Sequence, residues 1–169
     1  RTLLSLHCTH SPAKRTPFEI HPGQVDFIPF PETKTPKEEY SCPKNWLQTW
    51  ANLKTKDQID TFRTDPLLSA ECDSLWKVYE SIKKESPLAL IIEPMLCEGG
   101  DRYGTPRFFQ ALRVLTRALD TPLIFDEVQT GFGLGEEFFW HKTFNLTTPD
   151  GKPDTPDCVS IAKKAHIGA

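Results

Sequence analysis

Short apolar runs alternating with stretches of helical period constrain this chain most. Leu88–Ile92 and Leu123–Phe125 are continuously apolar, which predicts strands buried on both faces, as in a parallel sheet. Cys158–Ala162 reads as a third strand. Ahead of the first run, Leu68, Cys72, Leu75, Tyr79 and Ile82 fall on one helical face that closes on Lys83-Lys84. Between the first two runs, Phe108, Leu112, Leu115 and Leu119 mark a second amphipathic helix, opened by Pro106 in its first turn. A third helix is expected over Glu136–Phe144, before a polar loop at 147–157. Strands alternating with helices imply right-handed crossovers and a mostly parallel sheet, an α/β fold.

Residues 11–66 differ. They hold most of the prolines and no sustained period, so they read as long loops with helical turns around Trp46–Leu53. Residues 2–8 are expected to form a short strand. The length of 169 residues suits one domain with a true core. Both ends look cut, at Arg1 and at Gly168-Ala169. The net charge of −3 comes with scattered lysines and arginines, which argues against a nucleic-acid surface. No apolar run approaches a membrane span. The five cysteines (Cys8, Cys42, Cys72, Cys97 and Cys158) form no C-x-x-C pair, so neither a disulfide framework nor a zinc site is expected. His7 and His10 make no metal site either.

In open α/β sheets ligands gather at the carboxyl ends of the strands, and here Glu93, Asp126 and Lys163 occupy those ends. Polar residues at strand ends also simply meet water, so the placement alone is only a hint. The stretch after Asp126 is harder to explain as packing. It contains Val-Gln-Thr-Gly-Phe-Gly, with Gly131 and Gly133 suggesting a sharp turn or a close backbone approach to a ligand. A lysine at the next strand end is costly to bury as an ammonium; desolvated, it becomes a nucleophile towards aldehydes. A carboxylate one strand away suits a pyridine cofactor, whose ring nitrogen it keeps protonated.

Ile-Phe-Asp-Glu-Val-Gln-Thr-Gly-Phe-Gly (124–133) and Pro-Asp-Cys-Val-Ser-Ile-Ala-Lys-Lys (156–164) resemble the class III aminotransferases of the fold-type-I pyridoxal-phosphate (PLP) enzymes. Ile-Ile-Glu-Pro-Met-Leu-Cys-Glu-Gly-Gly-Asp (91–101), Arg1-Thr2, Thr9-His10-Ser11 and the Pro29-Phe30-Pro31 region are similar to 4-aminobutyrate aminotransferases and the related lysine 6-aminotransferases. The resemblance spans nearly the whole chain and is strongest from residue 87. It implies part of a PLP-binding large domain, with 11–66 loop-rich, 67–169 the regular core, and the small C-terminal domain absent.

By position, the resemblance implies that Lys163 carries the cofactor and moves the substrate proton. Asp126 would pair with the ring nitrogen, Val128 pack on the ring face and Gln129 reach the ring hydroxyl. Glu98 would pair with an active-site arginine, Glu93 support that pocket, and Arg1 bind the substrate carboxylate. Lys164 is the rival to Lys163, and the family pattern favours the first of the pair. Glu127 reads as structural, Cys97 as a small buried residue and His166 as a packing or surface residue. The resemblance further implies transfer from 4-aminobutyrate to 2-oxoglutarate, a homodimer in the mitochondrial matrix (otherwise in the cytoplasm), and small-molecule rather than nucleic-acid or membrane partners. Lysine 6-transamination, another PLP chemistry on the same fold and a non-catalytic truncated product are the alternatives. A phosphate-holding loop, the arginine partner of Glu98 and any iron–sulfur segment are expected elsewhere in a longer protein. Three departures stand out: the long loop Asp150–Asp157, Gly135-Glu136 in place of Thr-Gly, and Pro12 in place of a lysine.

Overall fold

The computed structural model describes residues 8–9, 11–18, 25–33, 40–98 and 100–166; the strand expected at 2–8 lies outside them, apart from Cys8. Three single-turn or short helices, α1 (Pro12–Arg15), α2 (Trp46–Ala51) and α3 (Asp57–Asp60), punctuate the proline-rich half. The long helix α4 (Pro66–Glu85) comes next. Strand β1 (Leu90–Ile92), a two-stranded hairpin of β2 (Met95–Leu96) and β3 (Arg102–Tyr103), helix α5 (Pro106–Ala118), β4 (Leu123–Asp126) and β5 (Cys158–Ser160) complete the order.

Helix α5 opens at Pro106, as its sequence implies, and both long helices begin at a capping side chain. Asp65 accepts a hydrogen bond from the Leu68 N–H and Thr105 from the Phe108 N–H, each with proline at the start of the helix. These side chains satisfy amide donors that the helix itself leaves open. Lys83 and Lys84 sit in the last turn of α4, as expected, beside its negative dipole end.

The three parallel strands run β1-β4-β5, with Ile91 beside Ile124, Ile124 beside Cys158, and Asp126 beside Ser160. One face of this sheet packs on the helices through Leu123 and Phe125, both fully buried. Phe125 joins Phe109 and Phe144, whose rings stack at 4.0 Å, while Trp46, Trp50 and Phe62 close the core against α2. The other face is not covered by described residues. Ile91 is 48% exposed and Leu88, at 96%, lies ahead of the strand. The expectation of a first strand buried on both faces is therefore corrected: among the described residues its outer face stays exposed at Ile91.

The expected third helix is also corrected. Residues 140–144 form a 3-10 turn, and 136–139 are not helical. Glu127 explains the difference. Its buried carboxylate accepts the backbone N–H groups of Trp140 and His141 at 2.8 Å each, contacts His141 Nδ1 at 2.6 Å and accepts from the Thr130 hydroxyl at 3.2 Å. Glu127 thus caps the turn that starts at Trp140 by taking its first two amides. The preceding loop reverses where the glycines allow it: Gly133 has φ +77°, and a Cβ on Gly131 would lie 2.9 Å from the Glu127 carbonyl oxygen. Burial alone would raise the Glu127 carboxyl, but the hydrogen bonds from the His141 side chain and from the His141 and Trp140 amides hold it below its ordinary value.

The loop between Leu146 and Cys158 is polar yet firmly held. Arg113, 2% exposed, donates to Asp154 at 3.2 Å and to Asp157 at 2.5 Å, and Arg117 adds a second grip on Asp154. Asp157 also accepts the Leu123 N–H at 2.9 Å and returns its own N–H to the Leu123 carbonyl. On the far side of α5, Glu71 binds Arg107 at 2.7 Å and Thr105 at 2.6 Å, and Arg107 reaches the Ser41 carbonyl.

This packing has measurable consequences. Asp154→Ala leaves Arg113 buried with half its partners and is expected to cost about 3 kcal/mol in urea unfolding. Glu127→Gln turns one acceptor into a donor facing an amide N–H and is expected to cost about 2 kcal/mol, read the same way. Asp154 and Asp157 also titrate below the usual carboxylate range. For Asp154, burial pushes upward but Arg117, the Thr155 N–H and Arg113 outweigh it; for Asp157, Arg113 leads the downward pull. Their stabilising effect, with that of Glu127, is complete above the unfolded-state values and fades as pH falls through the lower folded ones. Urea midpoints measured against pH should therefore drop on the acid side, and Asp154→Asn should flatten that arm.

Candidate active site

The outer face of the sheet ends in a row of polar side chains. Asp126 is the last residue of β4, and the register places Ser160 of β5 beside it. Ser160 Oγ donates to Asp126 Oδ1 at 2.9 Å, and the Val128 N–H donates to the same oxygen at 3.1 Å. The carboxylate is thus fixed at one oxygen at the open end of the sheet. Ser160 carries no sequence signal of its own; only strand register brings it here.

Three residues past β5, Lys163 begins a 3-10 turn with φ +42°, a left-handed backbone that a side chain of this size seldom adopts. Its Nζ donates to Gln129 Oε1 at 2.6 Å. Lys163 is exposed rather than buried, which corrects the expectation of a desolvated ammonium: it lies at the uncovered end of the sheet. Lys164, next along, is exposed as well, and the Gln129 hydrogen bond distinguishes Lys163 from it. Asp126, Val128 and Gln129 therefore leave β4 together, and Lys163 meets the last of them from β5.

Glu93 lies just past β1. Burial raises its carboxyl, the charge of Asp126 raises it further, and a hydrogen bond from the Cys97 N–H pulls the other way. Glu98 and Lys163 act on it as well, from opposite sides in charge. The β2–β3 hairpin, which the sequence pattern does not announce because each strand has two residues, carries the chain back between Glu93 and α5. Glu98 sits in its connection, exposed, in an ion pair with Lys14 of α1. Cys97 is half-buried, and burial pushes its thiol up, followed by Glu93 and Asp101; this is not the setting of a thiolate nucleophile. His166 is exposed just past the Lys163 turn. Arg1 lies outside the described residues. Among the described residues no cluster of histidine, cysteine and carboxylate side chains forms a metal site, and no helix is long and apolar enough to cross a membrane.

The family model described as aminotransferase class-III matches residues 1–168. A probable mitochondrial 4-aminobutyrate aminotransferase of Caenorhabditis elegans is 34% identical over 88% of this chain and 27% of its own length. The mitochondrial 4-aminobutyrate aminotransferase of Rattus norvegicus is 29% identical over 99% of the chain and 29% of its own length. A 4-aminobutyrate aminotransferase of Dictyostelium discoideum reaches 47% identity over 44% of the chain and 14% of its own length. The chain therefore spans less than a third of these relatives. Among solved structures, a lysine aminotransferase from M. tuberculosis superposes on 62% of this chain and 23% of its own, with a TM-score of 0.54 and 30% identity. A transaminase from ancestral reconstruction superposes on 99% of this chain and 31% of its own, with a TM-score of 0.62 and 19% identity, a likeness of fold. With the motif-bearing strands, the α/β architecture and a family match over almost every residue, the chain belongs to the class III aminotransferases.

Proposed function

We propose that this chain is part of the large domain of a PLP-dependent enzyme that transfers the amino group of 4-aminobutyrate to 2-oxoglutarate. The observation that carries the reading is the placement of Asp126 and Lys163 at neighbouring strand ends, with Lys163 bonded to Gln129, three residues past Asp126. That set suits pyridoxal phosphate at two of its ends: a fixed carboxylate for the ring nitrogen and a primary amine for the aldehyde. When bound, the cofactor supplies an electron-accepting ring. The groups that would hold its phosphate belong to the rest of the protein, which fits a chain covering less than a third of its relatives.

In this reading Asp126, its carboxylate held by Ser160 and the Val128 N–H, would keep the ring nitrogen protonated. Val128 would pack against the cofactor ring. Gln129, whose amide oxygen accepts from Lys163 Nζ, would reach the ring hydroxyl. Lys163 binds the cofactor and, as a free amine, moves the proton on and off the substrate Cα. Glu93 and Glu98 border the substrate, and Arg1 takes a substrate carboxylate in a bidentate pair. The complete protein would act as a homodimer on small-molecule amino donors and 2-oxo acids. A mitochondrial location accords with the worm and rat relatives, whose names carry that label.

Transfer from the ε-amine of lysine is the second reading, favoured by the 30% identity to the M. tuberculosis lysine aminotransferase. Assaying the complete protein with 4-aminobutyrate, β-alanine, lysine and ornithine as donors separates the two, and ornithine as best donor would overturn both. Borohydride reduction of the complete protein with PLP should place the pyridoxyl label on Lys163 and not on Lys164, by peptide mass spectrometry. Lys163→Ala should abolish the label. Asp126→Asn should lower kcat/KM by about a hundredfold or more, the usual scale for a displaced catalytic proton.

A further inference from the structure

Two donors meet on a single oxygen of the Asp126 carboxylate. The Val128 N–H donates to Oδ1 at 3.1 Å, and the Ser160 hydroxyl donates to the same atom at 2.9 Å. Among the described residues no hydrogen bond engages Oδ2. The two donors differ in origin. Val128 lies two residues further along the same chain, so its N–H ties the carboxylate only to its own turn. One such tie leaves the group free to swing, because the last torsion of an aspartate is broad and its two oxygens are equivalent.

Ser160 supplies the second tie from another strand. It stands beside Asp126 in the β4–β5 register, where paired residues send their side chains to the same face. Its carbonyl accepts the Glu127 N–H at 3.0 Å, so main chain and side chain grip consecutive residues at the end of β4. The same segment then delivers Lys163, which donates to Gln129 at 2.6 Å. Carboxylate and amine are therefore bridged twice, by Ser160 at Asp126 and by Lys163 at Gln129. Removing the serine hydroxyl would leave the strands paired and the plane of the carboxylate unset. Functional groups hold a productive geometry only where neighbouring hydrogen bonds lock their torsions.

We infer that Ser160 is a positioning residue for the cofactor ring: its hydroxyl holds Oδ1 of Asp126 and so keeps Oδ2 for the ring nitrogen. The inference rests on the PLP reading above. In the complete protein, Ser160→Ala retains the main-chain bonds to β4 and loses only the hydroxyl. It should weaken binding of PLP to the apoprotein about tenfold, measured by fluorescence titration. An analogue of PLP with carbon in place of the ring nitrogen has no use for the Asp126 carboxylate, and its Kd should be the same with serine or alanine. A role confined to strand pairing would weaken both ligands alike. Ser160→Thr keeps the donor and should restore PLP binding. Equal losses for the two ligands, no loss for either, or a failure of threonine to rescue would overturn the assignment of Ser160 and leave the PLP reading in place. If the unaltered protein binds neither ligand, the PLP reading fails and the role of Ser160 falls with it.

Discussion

The arrangement of the site depends on one carboxylate placed well away from it. Asp157 stands at the entry to β5, accepts the first amide of β4 and is gripped by Arg113 from α5. Those contacts set how β5 lies along β4. A slip of one residue would turn every side chain of the strand to the other face. Ser160 would then leave Asp126, and Lys163 would no longer meet Gln129. The polar loop ahead of β5 is held to α5 by Asp154 and two arginines.

Charge at the site is balanced by arrangement rather than by burial. Asp126 is tied at one oxygen, Glu93 is half-buried and pushed towards its neutral form, Glu98 is paired with Lys14, and Lys163 is paired with the neutral amide of Gln129. Glu127 has a different task, although it comes directly after Asp126. The strand alternation turns it away from that row, and it organises the loop that carries Gly131 and Gly133 by capping the turn at Trp140. Two adjacent acids therefore divide their tasks because the pleat sends them to opposite sides.

Much of this is legible in the sequence. The period of α4 and α5, with Pro106 in the first turn of α5, is a local property that no tertiary contact overrides here. The Asp126–Gln129 and Lys163 motifs can be read because they are contiguous in sequence. The failures have physical causes as well. Glu136–Phe144 has helical composition, but a buried carboxylate from position 127 claims the amides of Trp140 and His141. Leu88–Ile92 is apolar on both faces, yet composition does not say whether the partner of the outer face lies within these residues.

The sequence by itself determined the α/β class, the amphipathic faces of the two long helices and the family motifs, because spacing and residue type suffice for each. Only the tertiary structure decided which groups meet: Ser160 with Asp126, Lys163 with Gln129, Lys14 with Glu98, separated by 34, 34 and 84 positions. Contacts over such distances are set by strand register and by the packing of loops on α5, and these depend on geometry that no local pattern encodes.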